Sequence, residues 1–334
     1  MLTYSQKIIN AIIFFSAFTV ASILPWPAFS ESFSQSEKTA PKNNILLILI
    51  DALRSEHLGC YGYPRNTSPF IDEVARGGII FKNFYSVSSW TNPVIMTLFT
   101  GQFPQAVFSP SESKLWHTVP IPRQFPLLAE IFKARGFKTA ALVDQPFITR
   151  RLGYNRGFDQ FFQFSNIKQR YGLMGADSQK ITRALKNFIK EKPEKKFFIY
   201  LHLLYLHQPY NPPAPYQNMF GPGYNFHQTL QQLKKTDREG MINNYDGEIR
   251  MTDDLIKNIF ELLKKYQLLE NTYVIITADH GEGFFDHGQV DHGNSLHGEL
   301  LKIPLIIHLP KNSKLKPKIV AESASNIALF PTLI

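Results

Sequence analysis

The chain has 334 residues, 44% hydrophobic and 19% charged, which describes a core-forming globular protein and excludes wholesale disorder. Its 36 Lys+Arg against 27 Asp+Glu give a net charge of +9, spread along the chain with "KPEKK" as the one short basic run; this suits an anionic ligand without marking a patch. With no zinc finger, RNP-like aromatic strand or groove-reading basic helix, nucleic acid is set aside as a partner.

At the N-terminus, "MLTYSQK" carries Lys7, the run "IINAIIFFSAFTVASIL" of 17 mostly apolar residues follows, and "PWPAFS" supplies Ala28 and Ser30. This order predicts a signal peptide over 1–30 cleaved after Ser30, and hence an exported protein, periplasmic or extracellular. The alternative is an uncleaved anchor, since such a run nearly spans a bilayer; only then is the membrane a partner. Polar "ESFSQSEKTAPKN" reads as a flexible lead-in over 31–43, ahead of a folded domain over 44–334. Cys60, the single cysteine, cannot form an intramolecular disulfide and reads as a buried small residue.

From Asn44, "ILLILID" is a near-continuous apolar run ending in an acid, as expected of a strand buried on both faces of a parallel sheet. Helices follow in "PFIDEVARGG" and "NPVIMTLFTG", then in "FPLLAEIFKARGF"; "KTAALVD" is a strand, "ADSQKITRALKNFIKE" a helix and "FFIYLHLLYLH" a strand. A long amphipathic helix, "NNYDGEIRMTDDLIKNIFELLKKYQL", precedes strands in "TYVIITADHG" and "IPLIIHLP". The alternation predicts an α/β fold: a mostly parallel central sheet sandwiched by helices around one core. Pro/Gly-rich "NPPAPYQNMFGPGYN" predicts a loop near the site, a candidate lid, and the apolar ending "SNIALFPTLI" leads us to expect a C-terminal subdomain after Ile334.

In open α/β sheets ligands bind beyond the carboxyl ends of the strands. Three predicted strands end in polar residues there: at Asp51, at His202/His207, and at Asp279-His280. Asp51 with Asp279 and His280 offers oxygen and imidazole ligands from separate strand ends, a set suited to a divalent cation. The stretch "DHGEGFFDHGQVDHGNSLHG" places His280, His287, His292 and His297 in one Gly-rich loop, which points to metal or anion binding. His202 and His207 lie five apart, so on one alternating strand they face opposite ways; His207 is assigned to the site and His202 to the core. Thr91, in "SSWTNPVIMTLFTG", has two readings. It caps the helix that Pro93 helps to start, or its hydroxyl, set among free N–H groups at a helix N-terminus, attacks an anionic ester. The stretch alone does not separate them.

Seven segments in order, "NILLILIDALRSEHLGCYGYPRNTSPFIDEVARGGIIFKNFYS", "SSWTNPVIMTLFTG", "GYNRGFDQFF", "YLHLLYLHQPYNPP", "YDGEIRMTDD", "TADHGEGFFDHG" and "LLKIPLIIHLP", resemble the sulfatase family of the alkaline phosphatase superfamily. The resemblance runs from about Asn44 to the end. It implies a metal-dependent hydrolase in which Asp51, Thr91, Asp279 and His280 surround one or two divalent ions (Ca, Mn or Zn). It also implies that His207 and His287 bind the anionic group of an ester substrate from a glycan, lipid head group or small molecule, with His292 near a position where sulfatases usually have a lysine.

The chain departs from the family pattern in four places. "TNPVI" puts Thr91 where sulfatases carry the Cys or Ser matured to formylglycine, and it lacks the following Ser and Arg. Ala52 stands where many have a second metal-binding Asp, and "ALVDQPF" where they have a Lys-x-His signature. Threonine cannot become formylglycine, and members with Thr resemble phosphoester hydrolases and phosphoglycerol or phosphoethanolamine transferases. A lost carboxylate favours Mn or Zn over a full calcium shell. Phosphoester hydrolysis or transfer through Thr91 is therefore the expected activity. Sulfate-ester hydrolysis by an unmodified Thr, and a binding protein without turnover, are the alternatives.

Overall fold

Strand β1 (Asn44–Ile50) organises the molecule, because all seven residues of NILLILI are buried and such a strand must lie inside a sheet covered on both faces. In the computed structural model, which describes residues 43–107, 119–164, 178–191 and 196–334, β1 pairs in parallel with β5 (Phe197–Leu203) on one side and β6 (Thr272–Ala278) on the other. The signal peptide and all of the lead-in except Asn43 lie outside the described residues.

Five more strands complete an eight-stranded sheet: β2 (Ile79–Tyr85), β3 (Lys138–Val143), β4 (Gln160–Gln163), β7 (Lys302–His308) and β8 (Lys318–Ser325). The order is β4-β3-β5-β1-β6-β7-β2-β8, in which only β7 runs against its neighbours. Four adjacent strands, β3, β5, β1 and β6, are therefore parallel, and their carboxyl ends open on one edge.

Helices flank this mostly parallel sheet: α1 (Pro69–Gly77), α2 (Thr91–Thr100), α3 (Pro104–Val107), α4 (Leu128–Ala134), α5 (Ser178–Lys190), α6 (Arg238–Lys265), α7 (Gly298–Leu301) and α8 (Leu329–Leu333). Both α4 and α5 pack on β3, and α1 packs on α6 and β7. Among the described residues no helix is long and apolar enough to cross a membrane.

The expected elements form, with informative differences. β5 stops at Leu203 rather than reaching His207: the His207 N–H donates to Leu204 O at 3.1 Å and the chain turns. Helix α6 begins at Arg238 rather than Asn243. Strands β2, β4 and β8 are additions. In β2 a register shift between Phe81 and Phe84 breaks the period of two that marks a strand. β8 is a largely exposed edge strand with no apolar stripe, and β4 has only four residues.

Helix α1 shows how α6 holds the frame. Its N-cap Ser68 makes no side-chain cap bond, and the N–H groups of Phe70 and Ile71 instead donate to Asp253 of α6 at 3.0 and 2.7 Å. Asp253→Ala leaves those two donors unpaired in a buried place, so a loss of about 1–3 kcal/mol is expected in urea unfolding. Asp253→Asn, which keeps one acceptor oxygen, is expected to lose less.

Candidate active site

The parallel register brings four strand ends together. Asp51 follows Ile50, which pairs with Ala278, so Asp279 emerges beside it; His202 lies on the neighbouring β5, and Gln145 leaves β3 one strand further on. Asp51, His202, Asp279 and His280 are fully buried. The chain turns abruptly after Asp51, with Ala52 at φ +59°, and the Ala52 N–H donates to Asp279 Oδ1 at 3.1 Å.

The two oxygens of Asp51 have different surroundings. Oδ2 accepts from Gln145 Nε2 at 2.9 Å, His202 Nε2 at 3.3 Å and Thr91 Oγ1 at 3.4 Å. The Gln145 amide is oriented in turn, because its Oε1 accepts from the Phe147 N–H at 3.1 Å. Tyr200 Oη lies 2.8 Å from His202 Nδ1, and a hydroxyl donating there fixes the tautomer that carries its proton on Nε2, toward Asp51. Burial pushes the Asp51 carboxyl up, but the hydrogen bond from His202 and the histidines that surround it, His207 and His280 among them, hold it well below the usual carboxylate range. Oδ1, by contrast, has no hydrogen-bond partner, and neither does Asp279 Oδ2.

His280 completes this group. Its Nδ1 lies 2.8 Å from Gly281 O, an acceptor only, so Nδ1 carries the proton and Nε2 presents a lone pair. That lone pair lies 3.2 Å from Thr91 Oγ1, 3.3 Å from Asp279 Oδ2 and 3.8 Å from Asp51 Oδ1. Two orphaned carboxylate oxygens and an imidazole lone pair converging in a buried space repel one another unless a cation lies between them. An imidazole whose other N–H is tied to a backbone carbonyl is also the usual form of a metal-ligating histidine. The residues present therefore fit a divalent cation, and a mixed nitrogen and oxygen set with few carboxylates suits zinc or manganese better than calcium.

Thr91 is the first residue of α2, and the cap position belongs to Trp90, whose side chain makes no cap bond. The threonine hydroxyl is turned to Asp51 and His280 instead of back to the helix N–H groups.

The four other histidines near the strand ends, His207, His287, His292 and His297, divide into two groups. The His292 ring packs 4.2 Å from His280 and 4.9 Å from His207, so His207 and His292 border the same site. Burial pushes His292 down, yet the charge and hydrogen bond of Glu282 and the charge of Asp291 raise it to about 10. His287 differs: it is 53% exposed, its Nδ1 lies 2.7 Å from Glu299 Oε1, and its ring stacks on His297 at 3.7 Å.

Two residues at this site escaped the sequence reading. His202, assigned to the core, touches Asp51, because β5 ends before His207 and the argument from alternation does not apply. Gln145 sits in the segment "ALVDQPF", whose departure from the family pattern was the one available signal.

Other polar groups serve the frame. A cavity of about 470 Å³ is lined by Arg54, His57, Tyr63, Arg65, Arg238 and Asp286, but its arginines are already paired, Arg54 and Arg238 with Asp286 and Arg65 with Asp246. Glu248, within the family-like "YDGE", is fully buried; burial raises its carboxyl well above the ordinary value of 4.5, and its one hydrogen bond is from the Asn211 N–H at 2.7 Å. A carboxyl raised on folding contributes its full stability below 4.5 and loses it as pH rises toward the folded value. Glu248→Gln keeps the acceptor and removes the titration. Its melting temperature is expected to match the wild type at pH 4 and exceed it at pH 8.

The fold is that of an alkaline phosphatase-like α/β protein. The family model described as Sulfatase matches residues 43–334, and the chain belongs to the sulfatase family. Human N-acetylgalactosamine-6-sulfatase is 25% identical over 284 residues, 71% of this chain and 50% of the human enzyme, so the chain spans half of that relative's length. Among solved structures, the phosphonate monoester hydrolase of Agrobacterium radiobacter superposes with a TM-score of 0.69 at 18% identity, covering 87% of this chain and 73% of that one. The C-terminal periplasmic domain of EcEptC from Escherichia coli, solved as a complex with Zn, has a TM-score of 0.68 at 19% identity, covering 88% and 82%. These likenesses show the shared fold.

Proposed function

We propose that the chain is a metal-dependent ester hydrolase or group transferase in which Thr91 is the nucleophile and phosphoesters are the substrates. The observation that carries this reading is the position of Thr91 Oγ1, within 3.4 Å of Asp51 Oδ2 and 3.2 Å of His280 Nε2, beside two buried carboxylate oxygens that lack partners. Asp51, Asp279, His280 and Thr91 would hold the cation. When bound, it would lower the pKa of the Thr91 hydroxyl and neutralise the ester oxygens.

The protein's own groups do the rest. Thr91 Oγ1, oriented by Asp51 Oδ2, releases its proton to water and attacks phosphorus, forming an Oγ–P bond as the P–O bond to the alcohol breaks. His207 and His292, on the site's other border, stabilise the charged oxygens, and one of them donates the proton that the leaving alkoxide takes. His287 is the weaker candidate for this work, given its exposure and its pairing with Glu299. Water, or an acceptor alcohol, then attacks the phosphorus and frees Thr91. The substrate is an anionic ester from a glycan, a lipid head group or a small molecule, met outside the cytoplasm if the N-terminal segment exports the chain.

A second reading, sulfate-ester hydrolysis with unmodified Thr91, draws support from the family match and from the sulfatase relative. One experiment separates them: turnover of an aryl phosphate, a bis-aryl phosphate and an aryl sulfate with added Zn(II) or Mn(II). Cleavage of either phosphate ester is the expected result. Release of sulfate alone would transfer the assignment to the second reading, and metal binding with no turnover of any ester, glycerol being included as an acceptor alcohol, would make the chain a binding protein.

A further inference from the structure

Beyond the Asp51 cluster, the loop after β6 carries a second convergence of ligating atoms. One atom each from Glu282, Asp291 and His292 lie within 4.8 Å of one another. Glu282 stands three residues past Asp279, and the chain returns to it through a short bridge between Phe284 and Val290. That return is closed by the Asp291 N–H donating to Gly283 O at 3.2 Å, which brings Asp291 and His292 back against Glu282.

The chemistry of this group is unbalanced. His292 Nδ1 lies 3.2 Å from Glu282 Oε1 and 3.0 Å from Asp291 Oδ1, so a single nitrogen faces two carboxylates. One N–H has one direction and serves one of them well; the other is left with a like charge beside it. Glu282 is fully buried, and its second oxygen, Oε2, has no hydrogen-bond partner. The Tyr210 hydroxyl is equally buried and is raised by burial and then by Glu282, the carboxylate it faces, without closing a hydrogen bond of normal geometry to it. An orphaned, fully buried carboxylate oxygen is the same signature that marks Asp51 and Asp279.

We infer that Glu282, Asp291 and His292 form a second divalent-cation site, sharing the His280–His292 contact with the first. This rests on the reading that the Asp51 cluster holds a cation. Two carboxylate oxygens and one imidazole nitrogen form a compact set of the kind that zinc or manganese takes. Coordination through Nδ1 leaves Nε2 of His292 available to the ester, so the site is compatible with the role proposed for that ring. Its consequence is a second positive charge on the border where the ester's oxygens would lie, which is how paired-metal hydrolases stabilise both the attacking and the leaving oxygen.

Metal stoichiometry tests this without reference to activity. The full chain, stripped with chelator and dialysed, is saturated with Zn(II) or Mn(II), passed through a desalting column and measured by plasma mass spectrometry. The variants are Glu282→Gln/Asp291→Asn and Asp51→Asn/Asp279→Asn; all four substitutions are near-isosteric, and asparagine tolerates the left-handed backbone of Asp291, at φ +68°. Two ions per chain in the wild type and one in each double variant is the expected result. One ion in the wild type, kept in Glu282→Gln/Asp291→Asn and lost in Asp51→Asn/Asp279→Asn, overturns the second site and leaves the first. The converse pattern overturns the first and leaves the second, and no bound ion in the wild type overturns both.

Discussion

Thr91→Ala is expected to lower turnover of whichever ester the wild type cleaves by at least about 1,000-fold, with the folding stability almost unchanged. The two halves of this expectation come from different contacts. Activity falls because Oγ1 is, among the described residues, the hydroxyl that faces both Asp51 and His280. Stability holds because the cap of α2 is Trp90 and the Thr91 side chain satisfies no helix N–H group. A capping threonine would behave in the opposite way, since its loss costs about 0.5–2 kcal/mol and leaves chemistry elsewhere intact. Steady-state kinetics and urea unfolding on the same preparation therefore separate the roles. A variant that loses stability and keeps turnover would remove Thr91 from the mechanism. Thr91→Ser retains the oxygen and is expected to keep measurable activity.

The sequence revealed individual strand ends more readily than the contacts between them. β1 and β6 were legible because near-continuous apolar runs ended in acids, and from those ends Asp51, Asp279 and His280 could be named together. What could not be read was register: that Ile50 pairs with both Leu203 and Ala278 is a property of three distant segments, and it is this that sets His202 against Asp51. Alternation sets His202 and His207 on opposite faces only where β5 reaches His207; the strand stops at Leu203, and His202 lies against Asp51. Glu282 and Asp291 lie nine positions apart in the histidine-rich stretch, and only the return of the loop through the Phe284–Val290 bridge brings their carboxylates together. β2 and β8 were missed for the opposite reason, since a bulge in one and the exposure of the other erase the pattern that a buried strand leaves.

Asp51→Asn is expected to weaken cation binding at the first cluster by at least about 100-fold, and His202→Leu by about 10–100-fold. Asp51 directs one oxygen, Oδ1, at the space shared with His280 and Asp279, while Oδ2 is fixed by Gln145, His202 and Thr91. Asparagine retains an acceptor for two of those donors, so the fold should persist, but it replaces a charged ligand with a neutral one. His202→Leu acts one step further out. It leaves every proposed ligand in place, removes the N–H that helps set the rotation of the Asp51 carboxylate and takes from the Tyr200 hydroxyl its acceptor. If His202 were only a core histidine, the stranded Tyr200 hydroxyl would cost about 1–3 kcal/mol of stability while affinity would not change. Competition against a chromogenic zinc chelator, with circular dichroism as a check on folding, distinguishes these outcomes. Unchanged affinity in His202→Leu would return that residue to the core, and unchanged affinity in Asp51→Asn would remove the first-strand carboxylate from the metal site.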